Sequence, residues 1–153
     1  GAASTNSLTG ARAQTQAALA DGRALKKFGD WIELQGGDAR VVDDYAILPR
    51  AKFIEDLTAP REGFIEGIDA EQVGWTVVDL GGGRAKKGDA IDYAVGVVFK
   101  HKVGERVARG EPLFTLHARD AVSFEKARQR LLAAYEFSDA PPAPPQLIHK
   151  VIK

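Results

Sequence analysis

The chain has 153 residues, 44% of them hydrophobic and 27% charged, and its 21 basic and 21 acidic side chains give a formal net charge of zero. This length is enough to bury a hydrophobic core, and the balanced charge argues against a protein that binds nucleic acid over its whole surface. The absence of cysteine excludes disulfides, thiol nucleophiles and cysteine-ligated metals.

Several features of the sequence bear on its origin and compartment. No apolar run approaches the length of a membrane span, and the first residues lack the basic and apolar segments of a secretory signal. The missing cysteines fit a reducing compartment, so we expect a cytoplasmic protein. The chain contains no methionine, even at position 1, which indicates a processed chain or a piece of a longer one.

The first part of the chain is predicted to form two helices. An alanine-rich sequence over residues 9–20 favours helix, and Asp21-Gly22 breaks it. Apolar residues then recur at helical spacing over residues 23–35. Gly36-Gly37 ends the second helix, because glycine readily adopts the left-handed conformation found at helix ends. These glycines could instead belong to a ligand loop, but we favour the helix end. Residues 41–49 are predicted as a connector.

Two short strands are predicted next, over residues 52–58 and 62–68. Asp69 is expected to cap a following helix, with Gln72 as its capping-box partner three residues later. The β-branched run over residues 76–78 favours a strand instead. We favour the helix, because the cap and the glycines that follow agree with it.

A β-rich section is predicted after the glycines. Alternating side chains over residues 91–99 indicate a strand. Residues 103–113 have the pattern of a strand, a turn and a second strand, with glycines at the turns. Residues 113–116 are predicted as a further strand.

The last part of the sequence begins with a predicted helix. Asp120 is expected to cap it, and apolar residues at helical spacing extend it to about Tyr135. A proline-rich stretch over residues 141–145 is predicted to be stiff and extended. The apolar residues within 147–152 are then predicted to dock as an edge strand.

The most informative segment of the chain reads Leu80-Gly-Gly-Gly-Arg84, followed by Ala85-Lys-Lys-Gly-Asp-Ala-Ile-Asp-Tyr-Ala-Val-Gly96. Consecutive glycines let the backbone approach a neighbour closely, and Arg84, Lys86 and Lys87 add positive charge beside them. The spacing does not fit the Walker phosphate loop. The predicted order, helix before and strand after, is the reverse of a dinucleotide-binding fingerprint.

Other kinds of site find little support. The histidines, His101, His117 and His149, are far apart without metal-ligand spacing. No Gly-x-Ser-x-Gly nucleophile motif is present. The pattern over residues 103–113 resembles the hammerhead turn of biotinyl and lipoyl carrier domains. Those carriers require a lysine on a protruding hairpin, and the corresponding residues 117–121 contain none.

Five motifs follow one another in an order that resembles the last third of pyrimidine-nucleoside and thymidine phosphorylases. They lie at residues 21–28, 35–38, 80–84, 91–96 and 103–113, ahead of the proline-rich tail and Leu147-Ile148. The resemblance implies a parent pentosyltransferase that converts a pyrimidine nucleoside and phosphate reversibly into a free base and a pentose 1-phosphate. In that family the phosphate loop and the base-binding residues lie in the N-terminal helical domain and the earlier part of the α/β domain.

The resemblance therefore implies no catalytic residue, no substrate-binding residue, no metal and no cofactor in this chain, which should be inactive alone. Its expected partner is the N-terminal region of the same enzyme; phosphate and nucleoside would bind only to the parent, and neither nucleic acid nor membrane is expected. The parent would be a homodimer and the fragment a monomer. The implied fold is α+β, with helices flanking a mixed β-sheet and a hammerhead-like, barrel-sandwich-related β unit. Residues 1–50 would be a helical segment of the α/β domain, and residues 51–153 the C-terminal hammerhead-like domain.

One segment receives a specific role by hypothesis. Residues 81–92 are a candidate closing loop at the interdomain cleft, with its proposed determinants at Gly82, Gly83, Arg84, Lys86 and Lys87. The alternative is a turn that only joins helix to strand. For the whole chain, the alternatives are a non-catalytic scaffold, a biotinyl- or lipoyl-like module, and a phosphorylase of nucleoside monophosphates. Preference for uridine or thymidine stays open.

Overall fold

A computed structural model describes residues 7–143 together with residues 146, 148 and 150. The chain divides into two compact units, Gly1–Leu48 and Pro49–Lys153. The assignment of residues 1–50 and 51–153 to two phosphorylase domains stays a prediction.

The first unit is helical. It contains helix α1 (Leu8–Ala20), helix α2 (Arg23–Leu34) and two short 3-10 turns (Ala39–Val42 and Tyr45–Ile47). Gly22, with φ of +80°, separates the two helices. At the end of α2, the N–H of Gly36 donates to Glu33 O and that of Gly37 to Ile32 O, both at 2.9 Å. The two predicted helices and their glycine ends are confirmed.

The second unit combines six strands with two helices among the described residues. They are β1 (Phe53–Thr58), β2 (Gly63–Ile68), α3 (Ala70–Val77), β3 (Gly96–Phe99), β4 (Arg106–Val107), β5 (Pro112–Ala118), α4 (Ala121–Ala133) and β6 (Tyr135–Ser138). The strands form two three-stranded sheets, ordered β1-β5-β3 and β4-β2-β6. The α+β class is confirmed, although the described pairings are antiparallel rather than mixed. The hammerhead-like detail stays a prediction.

The two strands predicted over residues 52–58 and 62–68 are confirmed, but they lie in different sheets. Strand β1 pairs with β5, with Phe53 opposite Ala118, while β2 pairs with β4 and β6. The connection between β1 and β2 is fixed by Ala59, whose N–H donates to Glu111 O at 2.8 Å and whose carbonyl accepts from Gly110 N at 2.9 Å.

Asp120 caps α4 as predicted, because its carboxylate accepts from Ser123 N at 2.7 Å.

The core of the second unit lies between the sheets and helix α4. The largest fully buried apolar side chains are Ile65, Leu80, Val107, Leu113, Phe114, Leu116 and Leu131. Each contributes roughly 1.5–3 kcal/mol through burial. They therefore join helix α4, the helical turn at Leu80 and strands of both sheets in one hydrophobic core.

Two predicted element boundaries are wrong. Helix α4 ends at Ala133, and Tyr135 instead begins β6, opposite Ile68 of β2. Strand β3 begins only at Gly96 rather than at residue 91. The reason is local: Asp92 Oδ1 accepts from Ala94 N at 3.0 Å, which folds that backbone into a turn.

The C-terminal tail lies partly outside the described residues. The predicted edge strand includes Leu147, Val151 and Ile152, and these three residues lie outside the described part of the chain, as do Pro144 and Pro145 of the proline-rich stretch. Within the described residues, no helix combines the length and apolar character needed to cross a membrane.

Candidate functional site

The candidate site is the basic loop, defined as residues 81–92, which follows the helical segment of α3. Asp69 starts that segment by accepting from Gln72 N at 2.9 Å, as the predicted cap requires. Leu80, only 1% exposed, anchors its end in the core. Gly81 then leaves the helix with φ of +102°. Because Asp92 N donates to Gly81 O at 2.8 Å, the two ends of the loop are tied together.

The glycines at the start of the loop have a packing role. A Cβ on Gly82 would lie 2.9 Å from Val77 Cγ1, and one on Gly83 would lie 2.8 Å from Val78 Cγ2. Real side chains essentially never approach so closely. The backbone therefore folds back onto its own helical turn, and this close approach explains both glycines without a bound phosphate.

The tip of the loop is organised by Asp89. Its carboxylate accepts from Lys86 N at 3.0 Å, and its own N–H donates to Lys86 O at 3.2 Å. Gly88 takes φ of +95° within this turn, and Arg84 Nε donates to the Asp89 carbonyl at 3.1 Å. The loop thus has its own internal hydrogen bonds rather than being an open strand.

Two of the three basic side chains of the loop form no ion pair with the part of the chain that the structure describes. Lys86 and Lys87 are exposed, and neither ammonium group forms an ion pair with any residue that the structure describes. The nearby carboxylates of Asp89 and Asp92 are each occupied by a backbone N–H. The loop therefore presents positive charge that is free to meet an anion.

The structure adds a fourth basic residue that the sequence analysis missed. Arg119 follows strand β5, and its Nη1 lies 3.5 Å from the position that a Cβ on Gly81 would take. Its Nε also lies 3.4 Å from Asp120 Oδ2. No local pattern in the sequence could have placed Arg119 at the base of the loop, because the approach joins residues far apart in the chain.

An ion-pair cluster connects the helical turn before the loop to helix α4. Asp79 pairs with Arg130, and its Oδ2 lies 3.6 Å from Lys126 Nζ. The cavity between them, of about 30 Å³, is far smaller than a site for a nucleoside. We interpret this cluster as an anchor for the base of the loop.

The histidines do not converge on a site. His101 lies beside an apolar groove of about 460 Å³, and its Nδ1 and Nε2 are 3.0 Å from Glu105 and 3.3 Å from Glu111. His117 lies on strand β5, and His149 lies outside the described residues. Among the residues that the structure describes, no cluster of three or more histidine or acidic side chains is placed to bind a metal ion.

The structure describes residues 117–121, which correspond to the lysine-bearing hairpin of biotinyl and lipoyl carriers. Residues 117–121 run from the end of strand β5 into the start of helix α4. They do not form the protruding hairpin between two strands that biotinyl and lipoyl carriers need. Both the sequence and the local fold therefore argue against that class of protein.

Three side chains with shifted pKa values occupy structural positions. The backbone N–H of Ser123 lowers the pKa of Asp120 at the cap of α4. The Arg128 guanidinium lowers the pKa of Glu125 to about 2 on the surface of the same helix. Burial raises the pKa of Tyr135 to about 12 in the core. These shifts describe caps and packing rather than an acid–base pair.

Comparisons with known proteins agree with the resemblance noted above. Residues 64–138, which include the whole basic loop, match the pyrimidine nucleoside phosphorylase C-terminal domain family. The chain is 41% identical over 148 residues to a pyrimidine-nucleoside phosphorylase of Geobacillus stearothermophilus, covering 96% of this chain and 34% of that protein. It is 43% identical over 113 residues to the pyrimidine-nucleoside phosphorylase of Bacillus subtilis strain 168, covering 74% of this chain and 26% of that protein. The chain thus spans about a third or less of the length of these relatives.

Proposed function

Because this chain belongs, through residues 64–138, to the pyrimidine nucleoside phosphorylase C-terminal domain family, we propose that it is the C-terminal part of an enzyme that cleaves pyrimidine nucleosides with phosphate. In this reaction a phosphate oxygen attacks the anomeric carbon, the glycosidic bond breaks, and the base leaves with the bonding electrons. The products are a pentose 1-phosphate and a free base. Two relatives that bear the name of this activity support the proposal.

The substrate site itself is proposed to lie outside this chain. The basic loop offers exposed charged groups, and a groove of about 460 Å³ in the second unit is lined mainly by apolar side chains. A nucleoside needs several converging polar partners in addition to an apolar surface. The N-terminal region of the same enzyme is therefore the proposed partner that completes the site.

The basic loop is proposed to close over that site. The reaction must bind an anion and must stabilise negative charge on the leaving base, and fixed positive charge does both most effectively where water is excluded. Closing segments of enzymes commonly supply such groups late, when the domains meet. The single observation that supports this role best is the pair of exposed ammonium groups, Lys86 and Lys87, on a loop whose ends are tied together at 2.8 Å.

The test replaces Arg84, Lys86 and Lys87 with alanine in the full-length enzyme. We expect kcat/KM for phosphate to fall by about tenfold or more, which corresponds to about 1.4 kcal/mol of lost transition-state stabilisation. A matched control replaces Arg50, Lys52 and Arg109 with alanine. These residues are exposed, and their replacement removes the same three positive charges outside the loop. The control should retain wild-type kinetics, since its residues lie outside the loop.

Two results would contradict the proposal at different levels. Unchanged turnover and unchanged phosphate dependence in the loop variant would refute the closing role. A full-length wild-type protein without any phosphorolysis would refute the enzymatic proposal and would leave this chain as a non-catalytic scaffold.

A further inference from the structure

Arg119 lies between the basic loop and helix α4. It directly follows strand β5, whose last residue, Ala118, is buried, so the sheet holds its backbone in place. Its Nε lies 3.4 Å from Asp120 Oδ2, while Asp120 Oδ1 accepts from Ser123 N at 2.7 Å as the cap of α4. The carboxylate beside the guanidinium is therefore itself fixed, and it restrains the Arg119 side chain.

The outer nitrogens of this guanidinium have no hydrogen-bond partner in the part of the chain that the structure describes. The side chain is 57% exposed, and its Nη1 lies 3.5 Å from the position of a Cβ on Gly81. A guanidinium carries five N–H donors in a planar fork that matches a carboxylate. Arg119 therefore holds spare donors at the glycine where the loop leaves the helix.

Asp92, at the other end of the basic loop, lies on the same side of Gly81. Its Cβ is 3.7 Å from the same Cβ position that Arg119 Nη1 approaches. The Asp92 N–H donates to Gly81 O at 2.8 Å, and Oδ1 accepts from Ala94 N at 3.0 Å. Its Oδ2 accepts no hydrogen bond from any residue within the described ranges. A spare carboxylate oxygen and spare guanidinium donors thus lie beside one glycine without being paired.

The surroundings of Gly81 confine movement to the loop that follows it. Asp79 pairs with Arg130 of α4, and Leu80 is buried, so the turn before Gly81 is anchored. Gly81 itself has φ of +102°, and glycine changes its backbone angles at little cost because it has no Cβ. A change at Gly81 would therefore move the loop, including Asp92, relative to Arg119.

We propose that Arg119 is a positioning residue for phosphorolysis: its guanidinium binds the Asp92 carboxylate when the basic loop closes, and this pair holds Lys86 and Lys87 over the substrate. The inference rests on the proposed function, which supplies both the reaction and the closing loop. A bidentate arginine–carboxylate pair is among the stronger hydrogen-bonded pairs, and it also fixes geometry. Arg119 acts through the loop and does not itself touch the reacting atoms.

The test measures steady-state phosphorolysis by variants of the full-length enzyme. Arg119→Ala should lower kcat by about tenfold and change the KM for the nucleoside by less than about twofold, because the pair forms after the nucleoside has bound. Arg119→Lys keeps the charge but loses the planar fork, so its kcat should recover to within about threefold of wild type. Arg106→Ala is the matched control and should keep wild-type kinetics, since Arg106 is also exposed and lies 3.8 Å from a carboxylate oxygen of Glu62.

A double-mutant cycle separates positioning from a general loss of structure. Asp92→Asn keeps an Oδ1 acceptor for Ala94 N and removes the charge that the guanidinium needs, so it should lower kcat by about the same factor as Arg119→Ala. The double variant should be no slower than Arg119→Ala alone, because both changes remove one interaction. Losses that multiply in the double variant would overturn the proposal, and so would an Arg119→Lys variant as slow as Arg119→Ala.

The same measurements distinguish this inference from the proposed function. An active wild type whose Arg119→Ala variant has normal kinetics would refute the role of Arg119 and leave the proposed function in place. A full-length wild type without phosphorolysis would refute the proposed function, and this inference with it.

Discussion

The close packing of the loop glycines predicts how the protein responds to a single added methyl group. In Gly83→Ala the new Cβ would lie 2.8 Å from Val78 Cγ2 and 3.5 Å from Val78 Cα. Valine is stiff about χ1 and cannot turn the methyl away without strain, so the backbone of the loop has to move. Overpacking of this kind costs about 1–3 kcal/mol. Gly83 has φ of −144°, which alanine adopts readily, so the whole effect is steric.

Gly74 provides a matched control inside helix α3. A Cβ at this position meets no atom within 4 Å, and alanine is a better helix former than glycine by about 0.5–1 kcal/mol. Urea unfolding followed by circular dichroism should therefore show Gly74→Ala to be stabilised and Gly83→Ala to be destabilised. If Gly83→Ala were as stable as the wild type, or if both variants lost the same stability, the packing explanation of the glycines would be refuted.

Two further predictions concern Tyr135 and Asp120. The Tyr135 hydroxyl is buried without a hydrogen-bond partner among the described residues, so Tyr135→Phe should raise the free energy of unfolding by about 1 kcal/mol in urea titrations at pH 8. Burial raises the pKa of Tyr135 from its usual 10 to about 12, so this group leaves the stability of the wild type unchanged below pH 10 and lowers it as the pH rises towards 12. The phenylalanine variant should lack that decrease in titrations at pH 8 and pH 11. Asp120→Ala should destabilise helix α4 at pH 6, and because the Ser123 N–H lowers the pKa of this carboxyl below 3.8, the difference from wild type should shrink as the pH falls below that value; an equal difference at pH 6 and pH 2.5 would contradict the cap.

Structural features that depend on nearby residues were predictable from the sequence. The caps at Asp69 and Asp120 each act on an N–H three residues later, so both the donor and the acceptor lie within one short segment. The glycine ends of α1 and α2 are equally local. The predicted strand at residue 91 failed for the same kind of reason, because the Asp92 side chain satisfies the Ala94 N–H and removes the need for a strand partner.

Features that depend on distant pairing were not predictable. Tyr135 falls at the right spacing to extend the apolar stripe of α4, but its backbone pairs with Ile68 of β2 instead. In the candidate site, the charges of Lys86 and Lys87 were visible in the sequence, whereas the place of Arg119 beside Gly81 depends on how strand β5 crosses the sheet. A sequence pattern contains no information about such a crossing until the strand order is known.

The proposed function is tested most directly by the release of free base from uridine and thymidine in the presence of phosphate. The measurement compares the 153-residue chain with the full-length enzyme at equal molar concentration, and a blank without protein. We predict phosphate-dependent release by the full-length enzyme and none above the blank by the 153-residue chain. Release by the 153-residue chain well above the blank would contradict the claim that its substrate site lies in another part of the enzyme.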